Sequence, residues 1–139
     1  MRVVLDTVVW LRALIRPQSQ CGRIIFQHYQ HITILISTPI LIEILNVLTR
    51  SELTARFPQM SALPNLQTIL GILAKAEAVE PNVRVSLPRD PKDEKFLECA
   101  ITGIADFIVS EDKDLLSLRE YQGIAIVSCS EMLAMLQAN

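Results

Sequence analysis

The sequence has few of the features that mark secreted or membrane-spanning proteins. It contains three cysteines, Cys21, Cys99 and Cys129, and no CxxC pair, so we expect buried thiols in a reducing compartment rather than a disulfide framework. The first acidic residue, Asp6, comes too early for a signal-peptide core, and no apolar run reaches the length of a membrane span. We therefore expect neither export nor membrane insertion, and predict a cytoplasmic location.

An excess of charge of one sign is also lacking. The chain has 13 Lys and Arg against 15 Asp and Glu, a formal net charge of -2, which gives no global attraction to a polyanion. Any contact with nucleic acid must therefore be local. Arg12, Arg16, Lys95 and Lys113 are candidates for phosphate contacts, although a solvated surface charge is the commoner role for each of them.

What the sequence does have is apolar residues. They make up 50% of the 139 residues, enough for one hydrophobic core, so we predict a single domain over residues 1–139. The mean hydropathy of +0.34 is high for so short a chain. We therefore expect part of the surface to be covered by a partner or by a second copy in a homodimer.

Short β-branched runs alternate with helical patterns along the chain. We predict strands over Val3–Leu5, Thr33–Ser37, 107–109 and 124–127, and an extended segment without regular pairing over Val79–Leu87. Helices are predicted over Val8–Ile15, from a Ser19 cap to Tyr29, over Ile40–Leu48 behind a Thr38 cap, over Ser51–Phe57, Ser61–Ala76 and 93–102, and over Glu131–Gln137 behind a Ser130 cap. The pattern predicts an α/β fold with a mostly parallel central sheet flanked by helices.

Acidic residues stand close to the carboxyl ends of these strands. Asp6 follows the first strand and Asp112 follows the strand 107–109. Glu43 lies on the otherwise apolar helix after the second strand, and Asp93 begins the helix that precedes the strand 107–109. Ligands of open parallel sheets bind at the carboxyl ends of the strands, so we expect these four carboxylates at one edge of the sheet.

Carboxylates brought together repel one another, and a divalent cation relieves that repulsion. Oxygen ligands suit Mg²⁺ or Mn²⁺, whereas the lack of a neighbouring histidine or cysteine argues against zinc. The chemistry that such a site favours is hydrolysis of a phosphodiester by metal-activated water.

Each acid also has a purely structural interpretation. Asp6 and Asp93 could cap the helices that follow them, which is the commoner role of a single acid in such a position. Glu43 could form an ordinary ion pair with Arg12 or Arg50, and the acids after the strand 107–109 could lie in a solvated turn. Their joint occurrence at one sheet edge is what favours a site.

Four segments resemble motifs of the PIN-domain family. They are Val4–Trp10, the segment 37–48 around Glu43, Asp90–Ala100 and Ala105–Leu116. In this order they are similar to the motifs of VapC-like toxins of toxin–antitoxin systems, and the resemblance covers nearly the whole chain.

The resemblance implies a Rossmann-like PIN fold and a ribonuclease that cleaves RNA internally with Mg²⁺ or Mn²⁺, together with an antitoxin protein as partner. By motif position it also implies a role for individual residues: Asp6, Glu43, Asp93 and Asp112 form the acidic site, Asp114 and Glu94 are possible additional ligands, and Ser110 orients a water or a carboxylate.

The sequence departs from the family pattern at Val8, where many relatives have an asparagine that can form hydrogen bonds. The adjacent acids Asp93 and Glu94 cannot both point into one site from a helix, and we favour Asp93. Two other functions stay open. One is a weakly active or inert PIN-fold module that acts by binding a protein or RNA partner. The other, ranked lowest, is a receiver-like or phosphatase-like domain that uses Asp6 alone.

Overall fold

A computed structural model describes residues 1–50, 63–87 and 89–138. Its strands form one six-stranded sheet in the order β3-β2-β1-β4-β6-β5. The strands are β1 (Arg2–Leu5), β2 (Thr33–Ile36), β3 (Glu77–Ala78), β4 (Phe107–Val109), β5 (Glu120–Tyr121) and β6 (Ile124–Val127). All neighbouring strands are parallel except β5 and β6, which confirms the predicted mostly parallel sheet.

Helices flank this sheet, as the alternating pattern predicts. Within the described residues they are α1 (Thr7–Ile15), α2 (Gln20–His28), α3 (Thr38–Leu48), α4 (Leu63–Ala74), α5 (Glu94–Thr102), α6 (Lys113–Leu116) and α7 (Cys129–Ala138). Short 3₁₀ turns occupy Tyr29–His31 and Pro91–Asp93. None of the helices in the described part of the chain is both long and apolar enough to cross a membrane.

The central strand β1 is buried on both faces. Val3, Val4 and Leu5 are at most 1% exposed, because a parallel sheet covered by helices leaves neither face to solvent. Helix α1 packs Val9 and Trp10 into the same core. The continuous apolar run of β1 is thus explained by its central place in the sheet.

Several predicted boundaries differ from the structure by a few residues. Helix α3 begins at Thr38, so Ser37 is at the N-cap position, where its side chain makes no capping hydrogen bond, and α7 begins at Cys129 rather than behind Ser130. The two-residue strands β3 and β5 were not predicted, since neither has an apolar run. The predicted helix Ser51–Phe57 lies outside the described residues.

The cysteines correct one expectation from the sequence. Cys21 on α2 and Cys129 on α7 form a disulfide with a Cα–Cα distance of 5.4 Å, although 108 residues separate them. Helices α2 and α7 pack against each other, and a sequence without CxxC spacing gives no sign of that contact. Only Cys99 is a free thiol, buried in the core.

The direction in which the chain crosses the sheet defines where a site can form. From β1 the chain passes to β2 on one side, whereas β4 lies on the other side of β1. The carboxyl ends of β1 and β4 therefore flank a topological switch point, which is the usual binding crevice of an open α/β sheet. Leu5 pairs with Val109 at this point, so the residues that follow them, Asp6 and Ser110, are neighbours.

Candidate active site

Asp6 is held by a network at the ends of β1 and β4. Its Oδ1 accepts a hydrogen bond of 3.2 Å from the backbone N–H of Val9, so the residue also caps α1. Its Oδ2 accepts a hydrogen bond from the hydroxyl of Ser110, which is fully buried. The Ser110 oxygen in turn accepts a hydrogen bond of 2.9 Å from the backbone N–H of Asp112. Ser110 therefore links the two strand-end acids.

Glu43 projects from α3 toward the same place. Its Oε1 accepts a hydrogen bond of 2.5 Å from the Thr7 hydroxyl, and its Oε2 lies 2.6 Å from the ammonium nitrogen of Lys95. The cation beside Glu43 is thus Lys95 on α5, and the suggested partners Arg12 and Arg50 are wrong; Arg12 lies 3.8 Å from Glu111 instead. The Glu43 side chain is 37% exposed, so it is less buried than its apolar neighbours in sequence suggested.

The adjacent acids Asp93 and Glu94 point to different places. Asp93 is only 4% exposed, and it makes no capping hydrogen bond to α5. Glu94 instead accepts a hydrogen bond of 2.5 Å from the backbone N–H of Leu87, and so fastens the extended segment before it to α5. The helical turn of about 100° per residue separates the two side chains.

Asp112 completes the group on the other side of the switch point. Its Oδ1 caps α6 by accepting a hydrogen bond of 2.9 Å from the backbone N–H of Asp114, and its Oδ2 lies 3.6 Å from the ammonium nitrogen of Lys92. Lys92 was not predicted as a site residue. Its only signal is its position beside Asp93 in the turn before α5.

Asp6, Glu43, Asp93 and Asp112 line one pocket of about 140 Å³, which we call the acidic pocket. Glu94 and Asp114 do not line it. The other side chains in its wall are Thr7, Val8, Lys92, Lys95 and Phe96. Thr7 was missed as a site residue, because the first motif only suggests a helix start there, whereas its hydroxyl orients Glu43.

Burial and mutual repulsion change the acidity of two of these acids. The pKa of Asp93 is raised to about 6, first by burial and then by the nearby Asp112 carboxylate, against the opposing effect of Lys92. Burial also raises the pKa of Asp6, although hydrogen bonds from Ser110 and from backbone N–H groups partly counter it. Both carboxylates are thus strained as anions in the protein alone.

The carboxylate donors of the acidic pocket suit Mg²⁺ or Mn²⁺ in their chemistry. Within the described residues, neither histidine nor cysteine lines it, and no group donates a hydrogen bond to the buried Asp93 carboxyl. In the described part of the chain no three of these carboxylates have ligand atoms within 4.8 Å of one another, so a cation would have to draw them closer. It would favour the charged forms of Asp6 and Asp93, which burial and, at Asp93, repulsion from Asp112 disfavour. Val8 is 37% exposed at the wall and offers the cation no polar atom.

A second group with potential ligand atoms lies on the other side of the segment 110–112. The donor atoms of Cys21, Cys129 and Glu111 lie within 4.8 Å of one another. The two sulfur atoms are bonded to each other, so they present no thiolate to a metal. We interpret this group as structural.

Comparisons with known proteins agree with this geometry. The sequence matches the PIN-domain family over residues 2–114, and the chain belongs to that family. It is 30% identical over 123 residues to "Uncharacterized protein MJ1680" of Methanocaldococcus jannaschii, covering 86% of this chain and 76% of that protein.

Two solved structures share the fold. The crystal structure of PAE2754 from Pyrobaculum aerophilum has a TM-score of 0.64 at 16% identity, covering all of this chain and 91% of the other. VapBC2 from Rickettsia felis, solved with a DNA fragment from its promoter, has a TM-score of 0.60 at 13% identity, covering 92% and 98%. The expected PIN family is confirmed by the family match, and the two solved structures confirm its fold. PIN domains are generally nucleases.

Proposed function

We propose that this protein is a Mg²⁺- or Mn²⁺-dependent endoribonuclease and the toxin of a toxin–antitoxin pair. The observation that carries the proposal is the convergence of Asp6, Glu43, Asp93 and Asp112 on one small pocket at the switch point of a PIN fold. Buried acids that repel one another destabilise the fold. A site that retains them is explained by what they bind.

The side chains around the pocket have different proposed roles. When bound, the cation supplies activated water and stabilises charge on the phosphate. Ser110 donates to Asp6 and Thr7 donates to Glu43, and these bonds limit the orientations of the two carboxylates. Ser110 is fully buried and Thr7 is 6% exposed, so neither hydroxyl is open to a substrate phosphate, and we assign the role of nucleophile to water.

Two lysines beside the acids supply positive charge where a phosphate would arrive. Lys95 contacts Glu43, and Lys92 lies 3.6 Å from Asp112. In a chain with a net charge of -2, such local cations are needed to hold the RNA backbone. Their ammonium groups can turn from the carboxylates to phosphate oxygens when the acids have a metal ion as partner.

The decisive experiment measures cleavage of a labelled single-stranded RNA with Mn²⁺ and with EDTA. Asp6→Asn and Asp112→Asn should each lower the rate by about a hundredfold or more, because the stabilisation that a metal ion gives is worth several kcal/mol. Asp106→Asn is the matched control, since Asp106 lies at the amino end of β4 and accepts a hydrogen bond from the Arg2 backbone. Undiminished cleavage in both site variants would overturn the proposal.

A second candidate function is a weakly active or inert module that binds RNA or protein. Val8 favours it, because this apolar side chain stands at the wall of the acidic pocket where many relatives have a polar one. The cleavage rate of the Val8→Asn variant distinguishes the two candidate functions. A large gain of cleavage in this variant supports the weakly active module, and unchanged robust cleavage supports the ribonuclease.

The proposed partners are an antitoxin protein and a second copy of the chain, in the cytoplasm. The solved relative VapBC2 is a complex, and large apolar side chains are exposed here, such as Ile42 on α3 at 53% and Leu70 on α4. Sedimentation over a range of concentrations tests the dimer. Growth arrest on expression, relieved by the product of a neighbouring reading frame, tests the toxin role.

A further inference from the structure

A larger cleft adjoins the acidic pocket and shares one wall with it. It has a volume of about 590 Å³, against about 140 Å³ for the acidic pocket, and Asp93 lines both. The smaller space suits a cation and phosphate oxygens. The larger one has the size of a small-molecule site, and a strand whose phosphate lies at the acidic pocket must place a neighbouring group in or beside it.

The walls of this cleft combine apolar and acidic groups. Leu87 and Leu118 give apolar surface, and Leu118 is 38% exposed. Arg89 is the cation in the wall, against the carboxylates of Asp93 and Asp114 and that of Asp90. Because acids outnumber cations here, the cleft disfavours a phosphate. It favours a neutral group with an apolar face and hydrogen-bond donors at its edge.

We infer that this cleft binds the nucleoside next to the scissile phosphate, with its base between Leu87 and Leu118 and its donor groups directed at Asp114 and Ser117. The inference rests on the proposed ribonuclease function and specifies its substrate. Carboxylates accept hydrogen bonds from the exocyclic amino group of a base and from a ribose 2′-hydroxyl.

Two preferences follow from this chemistry. Cytidine and adenosine present an amino group that uridine lacks, so they should bind better in the cleft. RNA should bind better than DNA of the same sequence, because only RNA has the 2′-hydroxyl. The strand must be unpaired, since a base in a duplex is not free to enter a pocket.

The placement also gives Asp114 a role distinct from metal ligation. Asp114 lines the cleft and not the acidic pocket, and its backbone N–H donates to Asp112. Its side chain therefore belongs to the surface that contacts the substrate. Ser117 lies one turn further along, where its hydroxyl donates to the Asp114 carbonyl oxygen and leaves the serine oxygen able to accept a hydrogen bond.

The test measures binding of fluorescent hexamers of cytidine, adenosine, uridine and deoxycytidine to the Asp6→Asn protein in Mg²⁺ buffer, by anisotropy. The cytidine and adenosine hexamers should bind about tenfold more tightly than the other two, which is the discrimination that one good hydrogen-bonded base contact gives. Adding Asp114→Ala, which removes the acceptor, or Leu118→Ala should reduce that preference to about threefold or less. The preference is the readout, because removing a negative charge raises the affinity for every hexamer.

Ile104→Ala is the control, since Ile104 is an exposed apolar residue, 77% exposed, that lines neither the cleft nor the acidic pocket. Equal binding of all four hexamers, or a preference that both cleft variants retain, overturns the inference. If wild-type cleavage still depends on Asp6 in that case, the proposed function stands without the cleft. Failure to bind any hexamer, together with failure to cleave, overturns both.

Discussion

Glu111 and Asp112 are adjacent in sequence, but their side chains belong to two different regions of the molecule. Asp112 lines the acidic pocket, whereas Glu111 faces the disulfide between α2 and α7. Glu111 accepts a hydrogen bond of 3.1 Å from the backbone N–H of Cys129, and its other oxygen lies 3.8 Å from Arg12. Neighbouring side chains of an extended segment point to opposite sides, so one short stretch contributes to both regions.

The two regions differ in how many hydrogen-bond donors and cations their carboxylates contact. Around Glu111, hydrogen bonds and a nearby cation supply what a carboxylate needs. In the acidic pocket, the buried Asp93 has no hydrogen-bond donor among the described residues, and its pKa is raised to about 6. The Glu111 carboxylate is explained by the fold alone, whereas the Asp93 carboxyl is the group that the proposed cation would partner.

The largest effect should come from substituting Asp93 rather than Glu94. Asp93→Asn should lower RNA cleavage by about a hundredfold, because it replaces a charged carboxylate with a neutral amide at the proposed cation site. Glu94→Gln should leave cleavage nearly unchanged, since glutamine still accepts the hydrogen bond from Leu87. Cleavage rates at saturating Mn²⁺ measure both effects. A greater loss in Glu94→Gln than in Asp93→Asn would reverse our assignment of the ligand.

Chemical reduction of the disulfide should lower the stability of the protein. Because the Cys21–Cys129 bond closes a loop with a sequence separation of 108, its loss should lower the free energy of unfolding by about 2–5 kcal/mol. Denaturant midpoints with and without a reductant measure the change, and Cys21→Ala should abolish the response to reductant.

Cys99→Ala is the matched control for this measurement, because Cys99 is equally buried but unbridged. That variant should lose stability through packing alone and keep the response to reductant. Equal midpoints in both buffers, with three titratable thiols in the unfolded protein, would contradict the bridge.

The parts of the molecule that were predictable from sequence are those that depend on local sequence pattern. The strands β1, β2, β4 and β6 are apolar runs, and the parallel arrangement follows from their alternation with helices. Asp6 and Asp112 could be placed at one edge because the residue after a strand has a known position. Local pattern was sufficient for these features.

Features that depend on contacts between distant segments were not predictable. The disulfide requires that α2 and α7 touch, and the choice of Lys95 as the partner of Glu43 requires that α5 lies beside α3. The distinction between Asp93 and Glu94 depends on the rotation of a helix start, which a prediction accurate to a few residues does not fix. Each of these features depends on how distant helices pack together, and the periodicity of apolar residues does not predict that packing.

The metal-free protein should become less stable as pH rises from about 4 to about 6. The folded pKa of Asp93 is raised from 3.8 to about 6, so in this window the folded state binds more protons than the unfolded state and the unfolding free energy falls with pH. One proton accounts for at most about 1.4 kcal/mol per pH unit. Burial of Asp6 acts in the same direction.

Thermal melts of EDTA-treated protein across this pH range measure the effect. Asp93→Asn should have a flatter profile than the wild type, and saturating Mg²⁺ should restore stability near pH 7, where the acids are charged and bind the cation. A wild-type profile no steeper than that of Asp93→Asn would show that Asp93 is not strained as an anion.

The smallest effect is expected from Glu111→Gln. Glutamine keeps an acceptor for the Cys129 N–H, and the charge it removes faces Arg12, whose side chain is 55% exposed, so the loss of stability should be under about 1 kcal/mol. Cleavage should stay within about threefold of the wild type, because the Glu111 side chain does not line the acidic pocket. Arg12→Gln should reproduce the small stability change, since it removes the other half of the same pair. Glu111→Gln could instead abolish cleavage as fully as Asp112→Asn. In that case the two sides of this segment act as one site. The number of hydrogen bonds that a carboxylate accepts would then not distinguish structural acids from functional ones.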